Sequence, residues 1–275
     1  MIQPIDLCAM FRESVAEKLR VAGDIDEDAA EALAETLYEE WADAPDARLD
    51  GLSPRAWIGR LQTPQEMTGL LVAYARENIE VPDLLLERFD AVGEACAPQL
   101  EALSRDGEAL PTVRAQAFEL LLGLGAERAV DVAAEAVLSA QGSGEMVERA
   151  AEALAECADA PARERLLAGY EAASEFARML ILEILCAFPG DERVYAHLTD
   201  MFRNCPQRRA FAAKLLGRYG DTRAVEMLRA ALSFSDLTYF EYLEIRNAVE
   251  ELGGEAGPER EFYGDPDYEY MRGLN

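Results

Sequence analysis

The sequence predicts an all-α fold, a right-handed solenoid of stacked helix pairs. Half of the 275 residues are hydrophobic, and aromatic and β-branched residues are sparse beside Ala, Leu and Glu, which lose little entropy in a helix. A turn marked by glycine, proline or aspartate also recurs at steps of 34, 31, 30 and 33 residues. Such a period is typical of helix pairs that stack on one another. The turns lie at Gly125, Asp159, Gly190, Gly220 and Gly253.

Residues 1–80 are predicted to form a helical amino-terminal region that caps the stack, because an end repeat would otherwise expose its apolar face. Ser53-Pro54 and Thr63-Pro64 each place a capping hydroxyl before a proline at the first helical position. Glu66 completes a capping box with Thr63. The first expected helices are 5–21 and 27–41, separated by a turn at Gly23.

Residues 81–252 are predicted to form the repeat solenoid, and residues 253–275 an acidic aromatic tail. Apolar residues in the repeat region recur three or four positions apart, which gives each helix one face for packing. The run 176–188 is apolar almost all round, so we expect other helices to cover it on several sides. The remaining expected helices are 84–92, 94–104, the runs on either side of Gly125 and Asp159, 191–203, 207–218, 221–232 and 238–251.

Residues 206–232 resemble a HEAT-like repeat, and more narrowly the short bacterial variety first described in phycobilisome-lyase proteins. The pattern is apolar-Gly-x-x-Gly-Asp-x-x-Ala-apolar, matched by Ala212, Leu215, Leu216, Gly217, Gly220, Asp221, Ala224, Val225 and Leu228. The resemblance extends over 111–252 and 64–110, but the turns at Asp159 and Pro189 lack the first glycine. It implies a bacterial α-solenoid that binds a protein along the groove lined by the second helix of each pair.

The charge and the cysteines limit the partners and the compartment. A formal net charge of −27 repels nucleic acid and anionic membrane, and no apolar run approaches the ~20 residues of a membrane span. The five cysteines form no CxxC, and no signal peptide is evident, so we expect a reduced cytoplasmic protein with cysteines as buried small hydrophobes. We expect neither nucleic acid nor membrane as a partner.

No catalytic, cofactor-binding or metal-binding residue is predicted. His197 is the one histidine, which disfavours a zinc site, and no Ser or Cys nucleophile lies at helical spacing from it. A packed or surface histidine is the simpler interpretation. Trp41 and Trp57 flank the proline-containing loop and are expected to anchor it in the core.

A basic stretch at 201–230, with seven basic and two acidic residues, is the best candidate surface. Its guanidinium groups suit an acidic peptide or a phosphate, because arginine binds such groups in a bidentate manner. Two other interpretations stay open: Arg223 and Arg229 pair with Glu226 on their own helix, or the acidic tail at 265–269 folds back onto the arginines. The predicted protein-binding residues, called the arginine group below, are Arg203, Arg208, Arg209, Arg223 and Arg229.

The sequence therefore predicts a non-catalytic protein–protein interaction module, an adaptor or scaffold that binds a protein or an acidic peptide. Replacing Arg208, Arg209, Arg223 and Arg229 by glutamate is expected to weaken binding and leave helicity unchanged. One alternative is a HEAT-like enzyme or enzyme accessory that resembles a bilin lyase or a DNA glycosylase. A glycosylase needs a basic concave face over most of its length, and only one local stretch is basic. Another alternative, an acidic mimic of nucleic acid, would compete with DNA for a DNA-binding protein.

Overall fold

The computed structural model describes residues 3–22 and 27–273, and their side chains except at 17–32 and 126. Every regular element in this part of the chain is helical, which confirms the all-α prediction. The predicted turn at Gly23 and the last two residues of the predicted tail lie outside the described residues. The handedness of the solenoid and the predicted boundaries 1–80, 81–252 and 253–275 stay predictions. The α-helices are α1 (Leu7–Ala22), α2 (Glu27–Asp43), α3 (Pro54–Gly59), α4 (Pro64–Arg76), α5 (Asp83–Val92), α6 (Ala97–Arg105), α7 (Pro111–Leu124), α8 (Ala126–Leu138), α9 (Glu145–Cys157), α10 (Ala160–Gly169), α11 (Glu175–Leu185), α12 (Glu192–Asn204), α13 (Arg209–Tyr219), α14 (Val225–Ala231), α15 (Tyr239–Glu251) and α16 (Pro266–Gly273).

The helix starts follow the predicted caps. Ser53 accepts a hydrogen bond from the Ala56 backbone N at 3.2 Å and opens α3. Thr63 and Glu66 form the predicted capping box of α4, in which Glu66 accepts from the Thr63 backbone N at 3.0 Å. Thr238 opens α15 with a second box of the same kind. Local side-chain chemistry therefore sets these three boundaries.

The tail contains a helix that the sequence analysis does not predict. Asp265 accepts hydrogen bonds from the backbone N of Asp267 and of Tyr268, and Pro266 occupies the first helical position of α16. An aspartate followed by proline is a helix-start signal in its own right. The acidic and glycine-rich surroundings of this segment mask that signal.

The chain divides into two compact units. The first comprises 1–132 with 144–149, and the second comprises 133–143 with 150–275. In the first unit, the hydroxyl of fully buried Tyr74 donates a hydrogen bond to the Ile5 carbonyl at 2.9 Å, which ties the residues before α1 to α4. Trp41 and Trp57 are buried, as predicted for core anchors.

The core of the second unit is built around α11, α13 and α15. Ile181 and Leu182 on α11 are fully buried, which fits the expectation that this apolar run is covered on several sides. Helix α13 crosses α15 closely at Gly217, where an added Cβ would lie 3.1 Å from the Ala248 Cα. Gly220 ends α13 with a left-handed φ of 79°, a conformation that glycine adopts without strain.

Candidate protein-binding site

Arg223, one of the arginine group, is held by two carboxylates. Asp221 Oδ1 accepts a hydrogen bond from the Arg223 backbone N at 3.0 Å and so caps the turn before α14. The guanidinium pairs with Asp221 and with Glu192 of α12, whose Oε1 lies 2.9 Å from Nη2. It also lies over the ring of Tyr195 at 4.4 Å. Arg223 therefore adds little free positive charge to the surface.

The same Asp-x-Arg arrangement occurs at two other turns, and we call each copy a carboxylate clamp. In every copy the aspartate caps the turn and the arginine reaches a glutamate 29 to 35 residues earlier in the chain. Each clamp thus joins two elements about one repeat apart, although exposed ion pairs of this kind contribute little to stability. The three clamps are Asp46–Arg48–Glu13, Asp191–Arg193–Glu164 and Asp221–Arg223–Glu192.

Replacing Asp191 and Asp221 together by asparagine is expected to reduce the acid sensitivity of the second unit. Hydrogen bonds from Arg193 and Arg223 hold the pKa of these carboxyls below the usual aspartate range. A pKa lowered by folding gives stability that is present above the unfolded value of about 3.9 and is lost as pH falls through the folded value. Urea unfolding at neutral and acid pH should show a smaller acid loss for Asp191→Asn/Asp221→Asn. Equal acid losses in both proteins would contradict the clamp.

Arg209 lies inside the second unit, with a side chain that is 8% exposed. Its Nη1 is 3.5 Å from Asp236 Oδ2 and 3.9 Å from Glu241 Oε1, and its guanidinium lies over Phe234 at 5.5 Å. This burial removes Arg209 from any surface that the folded unit presents. Glutamate at Arg209 would place a third carboxylate beside two others, so we expect this change to destabilise the unit; whether helicity stays unchanged is still a prediction.

The proposed pairing within α14 is only partly observed. Arg229 Nη1 lies 3.7 Å from Glu226 Oε1, and its Nε donates to the Glu255 carbonyl at 3.1 Å. Arg223 pairs instead with the carboxylates of its clamp. Asp221 also accepts a hydrogen bond from the Arg223 backbone N, so the two residues are held close together at the turn.

Arg208 and Arg203 complete the arginine group. Arg208 Nη2 pairs with Glu175 Oε1 at 2.8 Å, and Arg203 Nε lies 3.2 Å from Met227 Sδ. Burial and then Asp221 raise the pKa of the Tyr195 hydroxyl, and the charges of Arg223 and Arg203 oppose that rise. Each of the five arginines therefore makes contacts of its own.

His197 and the cysteines have packing partners. The imidazole stacks on Tyr170 with ring centroids 4.1 Å apart, and Nδ1 lies 4.0 Å from Glu171 Oε1. All five cysteines are free thiols: Cys96 and Cys186 are buried as predicted, whereas Cys8, Cys157 and Cys205 are only half-buried, which corrects the expectation for these three. The Cys186 thiol donates to the Leu215 carbonyl at 3.6 Å, and burial raises its pKa to about 12. A thiol with so high a pKa stays protonated and is a poor nucleophile.

An aromatic cluster joins the tail to α15. Phe262 is buried, with its ring centroid 5.0 Å from that of Tyr242 and 5.6 Å from that of Tyr239. Tyr268 of α16 meets Tyr239 edge-on at 5.0 Å. Aromatic pairs at these separations contribute beyond the area they bury, so the tail is fixed to the second unit by its rings.

The tail folds back, but in the described residues its side-chain carboxylates form no ion pair with the arginine group. Asp265 Oδ2 accepts from the Tyr239 backbone N at 3.0 Å, at the start of α15. Glu269 accepts from the Gly264 backbone N at 3.3 Å. Within the described part of the tail, the hydrogen bond to the arginine group is the one that the Glu255 carbonyl accepts from Arg229. Backbone N–H groups near a helix start compete successfully for these carboxylates.

Four large apolar side chains around this cluster stay exposed, and we call them the C-terminal surface. They flank the cluster on α15 and in the tail: Tyr263 meets Tyr268 edge-on at 6.1 Å, and Arg272 lies over the Tyr263 ring at 5.4 Å. The aromatic character of the tail is evident in the sequence, but no sequence pattern predicts a binding site at these residues. The surface comprises Phe240, Tyr263, Tyr270 and Met271, which are 55%, 63%, 69% and 47% exposed.

No helix among the described residues has the length and apolar character needed to cross a bilayer. In the same part of the chain, no three His, Cys, Asp or Glu side chains are placed to hold a metal ion.

Residues 208–234 match the family described as PBS lyase HEAT-like repeat. The match runs through α13 and α14, the helices for which the sequence analysis finds the same resemblance. No curated protein matches the chain. The predicted bacterial origin stays a prediction. The family match shows a HEAT-like repeat at residues 208–234, and the all-helical architecture of the described chain is consistent with an α-solenoid of such repeats.

Proposed function

We propose that the chain is a non-catalytic protein-binding module, an adaptor or scaffold of the cytoplasm, that contacts its partner through the C-terminal surface. HEAT-like repeats commonly bind proteins, using surfaces built from stacked helices. Free thiols at all five cysteines are compatible with a reducing compartment. The exposure of four large apolar side chains, one on α15 and three in the tail of the second unit, carries the proposal.

Exposed aromatic side chains favour a protein partner. Tyrosine, phenylalanine and methionine are enriched in interfaces, and a few such residues usually supply most of the binding energy. Five of the six large hydrophobic side chains found exposed in the described residues lie between Phe234 and Met271. The first unit contributes one, Leu110. The apolar exposure is therefore concentrated in one part of the chain.

The charge around the C-terminal surface favours a basic partner. Residues 231–275 contain 11 acidic and 3 basic residues, a net charge of −8. Arg260 already lies over Phe262 at 4.6 Å, and Arg272 lies over Tyr263. These contacts show that rings in this part of the chain accept guanidinium groups, so arginine from a basic partner would bind the exposed rings of Phe240 and Tyr270 and the neighbouring carboxylates.

The arginine group supports an acidic partner less well. Arg223 and Arg208 are paired with carboxylates, and Arg209 is buried. Arg203 remains the member best suited to bind an acidic peptide, since its Nε contacts a methionine sulfur and not a carboxylate. An acidic-peptide site is for this reason the second candidate, and the experiment below separates it from the C-terminal surface.

The proposal is tested by photo-crosslinking in a lysate of the protein's own cells. A photoreactive phenylalanine analogue replaces Tyr263 in one sample and Leu110, exposed in the first unit, in the control. We expect a basic protein to crosslink at position 263 and not at position 110. Equal crosslinking at both positions, or crosslinking to further copies of this chain alone, would count against a specific basic partner.

The recovered partner is then titrated against purified variants. Tyr263→Ser/Tyr270→Ser should lower the affinity about tenfold or more, as loss of interface hot spots does, while Arg203→Glu leaves it unchanged. If Arg203→Glu weakened binding and Tyr263→Ser/Tyr270→Ser did not, the partner would bind at the arginine group and not at the C-terminal surface. Turnover of a small molecule by the purified chain, or displacement of the partner by DNA, would instead favour the enzyme or the nucleic-acid mimic.

A further inference from the structure

We propose that a small aromatic pocket in the first unit, separate from the C-terminal surface, binds a trimethylammonium group. The pocket has a volume of about 170 Å³ and lies between α1, α2 and the residues that lead into α5. Its aromatic walls are Phe11, Tyr38 and Trp41, and Glu80 and Asp83 lie at its edge.

The three rings are inclined to one another and form a corner. Phe11 meets Tyr38 edge-on at 5.3 Å with an interplanar angle of 88°. Trp41 lies 5.2 Å from Phe11 and 5.8 Å from Tyr38, tilted to both. A cation that enters such a corner meets several electron-rich rings, of which the indole is the most favourable.

The charges at the edge make the pocket attractive to a cation. Arg12 Nη1 pairs with Glu80 Oε2 at 2.8 Å, whereas Asp83 forms no ion pair with the residues that the structure describes. Burial, followed by the carboxylates of Glu87 and Asp83, raises the pKa of the Tyr38 hydroxyl. Arg12 also lines the pocket, so its three charged side chains, Arg12, Glu80 and Asp83, give the lining a net charge of −1.

The size and the walls select the ligand. A volume of about 170 Å³ is below the ~300–1,000 Å³ of ordinary small-molecule sites, so it accommodates one headgroup rather than a cofactor. A lysine ammonium would lose strong hydration against rings that offer few hydrogen-bond acceptors. A trimethylammonium group needs no such acceptors and fits apolar walls. The Tyr38 hydroxyl is buried without a hydrogen-bond partner in the described chain, and because a quaternary ammonium cannot bond to it, a water molecule is the partner we expect there.

Ligand-observed NMR with choline tests the pocket. Saturation transfer to the choline methyl protons is expected, and it should be absent for the neutral isostere in which a tert-butyl group replaces the trimethylammonium. A peptide with trimethyl-lysine and the same peptide with unmodified lysine form the second arm. Tighter binding of the trimethyl-lysine peptide than of choline would identify a modified protein as the source of the group, and the reverse would identify a small molecule.

Three variants locate the site. Trp41→Leu should weaken choline binding about tenfold, and Asp83→Asn should weaken it by a smaller factor that shrinks at high salt. Trp41→Phe keeps an aromatic wall and should retain measurable binding even if Trp41→Leu does not fold. Equal binding of choline and its neutral isostere, no binding of choline at high millimolar concentration, or full affinity in both Trp41→Phe and Asp83→Asn would overturn the proposal.

Discussion

Arg209→Glu is expected to lower the free energy of unfolding of the second unit by about 1–3 kcal/mol, since Arg209 is buried while its partner Asp236 is 66% exposed and screened by water. The wild-type guanidinium lies between Asp236 and Glu241, and its side chain is 8% exposed. A glutamate there would face two carboxylates with no cation between them. Glu241 cannot turn away freely, because its Oε2 accepts from the Thr238 backbone N at 2.9 Å to start α15.

Arg208→Glu is the matched control, one residue earlier in the chain. The Arg208 side chain is 42% exposed and pairs with Glu175, itself 70% exposed. We expect its loss to cost less than about 1 kcal/mol, as for other surface ion pairs. Urea unfolding by circular dichroism measures both variants, and hydrogen exchange of the α15 amides locates the effect. Equal destabilisation by the two variants would mean that burial of Arg209 has no energetic consequence.

Features that depend on neighbouring residues in the chain could be predicted from the sequence. The capping box of Thr63 and Glu66 needs only four residues, and the left-handed turn at Gly220 needs one glycine after an apolar run. The helix pairs follow from apolar spacing in the same way. These elements agree with the structure because each is determined by interactions within one or two helical turns.

The partners of the arginine group could not be predicted in this way. Arg208 reaches Glu175, 33 residues away, and Arg223 reaches Glu192, 31 residues away. Such contacts depend on how one helix pair stacks on the next, which spacing within a single helix does not determine. A sequence signal nevertheless exists, since Asp-x-Arg recurs in all three clamps and marks a paired arginine rather than a free one.

The C-terminal surface and the aromatic pocket depend on tertiary packing as well. Phe262 and Tyr263 are neighbours in a polar tail, yet one is buried and the other is 63% exposed. In the pocket, Phe11 and Trp41 come together from different helices. Composition shows that aromatic residues are present, but only the packing of α15 and α2 shows which of their faces remain available.

Gly217→Val is expected to lower the stability of the second unit by about 1–3 kcal/mol, as overpacking of a close-packed core does. An added Cβ at Gly217 would lie 3.1 Å from the Ala248 Cα and 3.3 Å from the Ala248 Cβ. The obstacle includes backbone, so relief requires α13 and α15 to separate. That separation would loosen contacts of Leu216 and Ile245, both fully buried.

Gly69→Ala is the opposite case and serves as the control. Gly69 lies in the middle of α4, and a Cβ added there would meet nothing within 4 Å. Alanine removes conformational freedom from the unfolded chain, so we expect a gain of about 0.5–1 kcal/mol. Thermal and urea unfolding of both variants measure whether the free energy of unfolding falls for Gly217→Val and rises for Gly69→Ala. If Gly217→Val were stabilising, the close contact between α13 and α15 at Gly217 would not limit the size of the side chain there. A helical glycine is required for packing only where the neighbouring helix cannot shift to accommodate a larger residue.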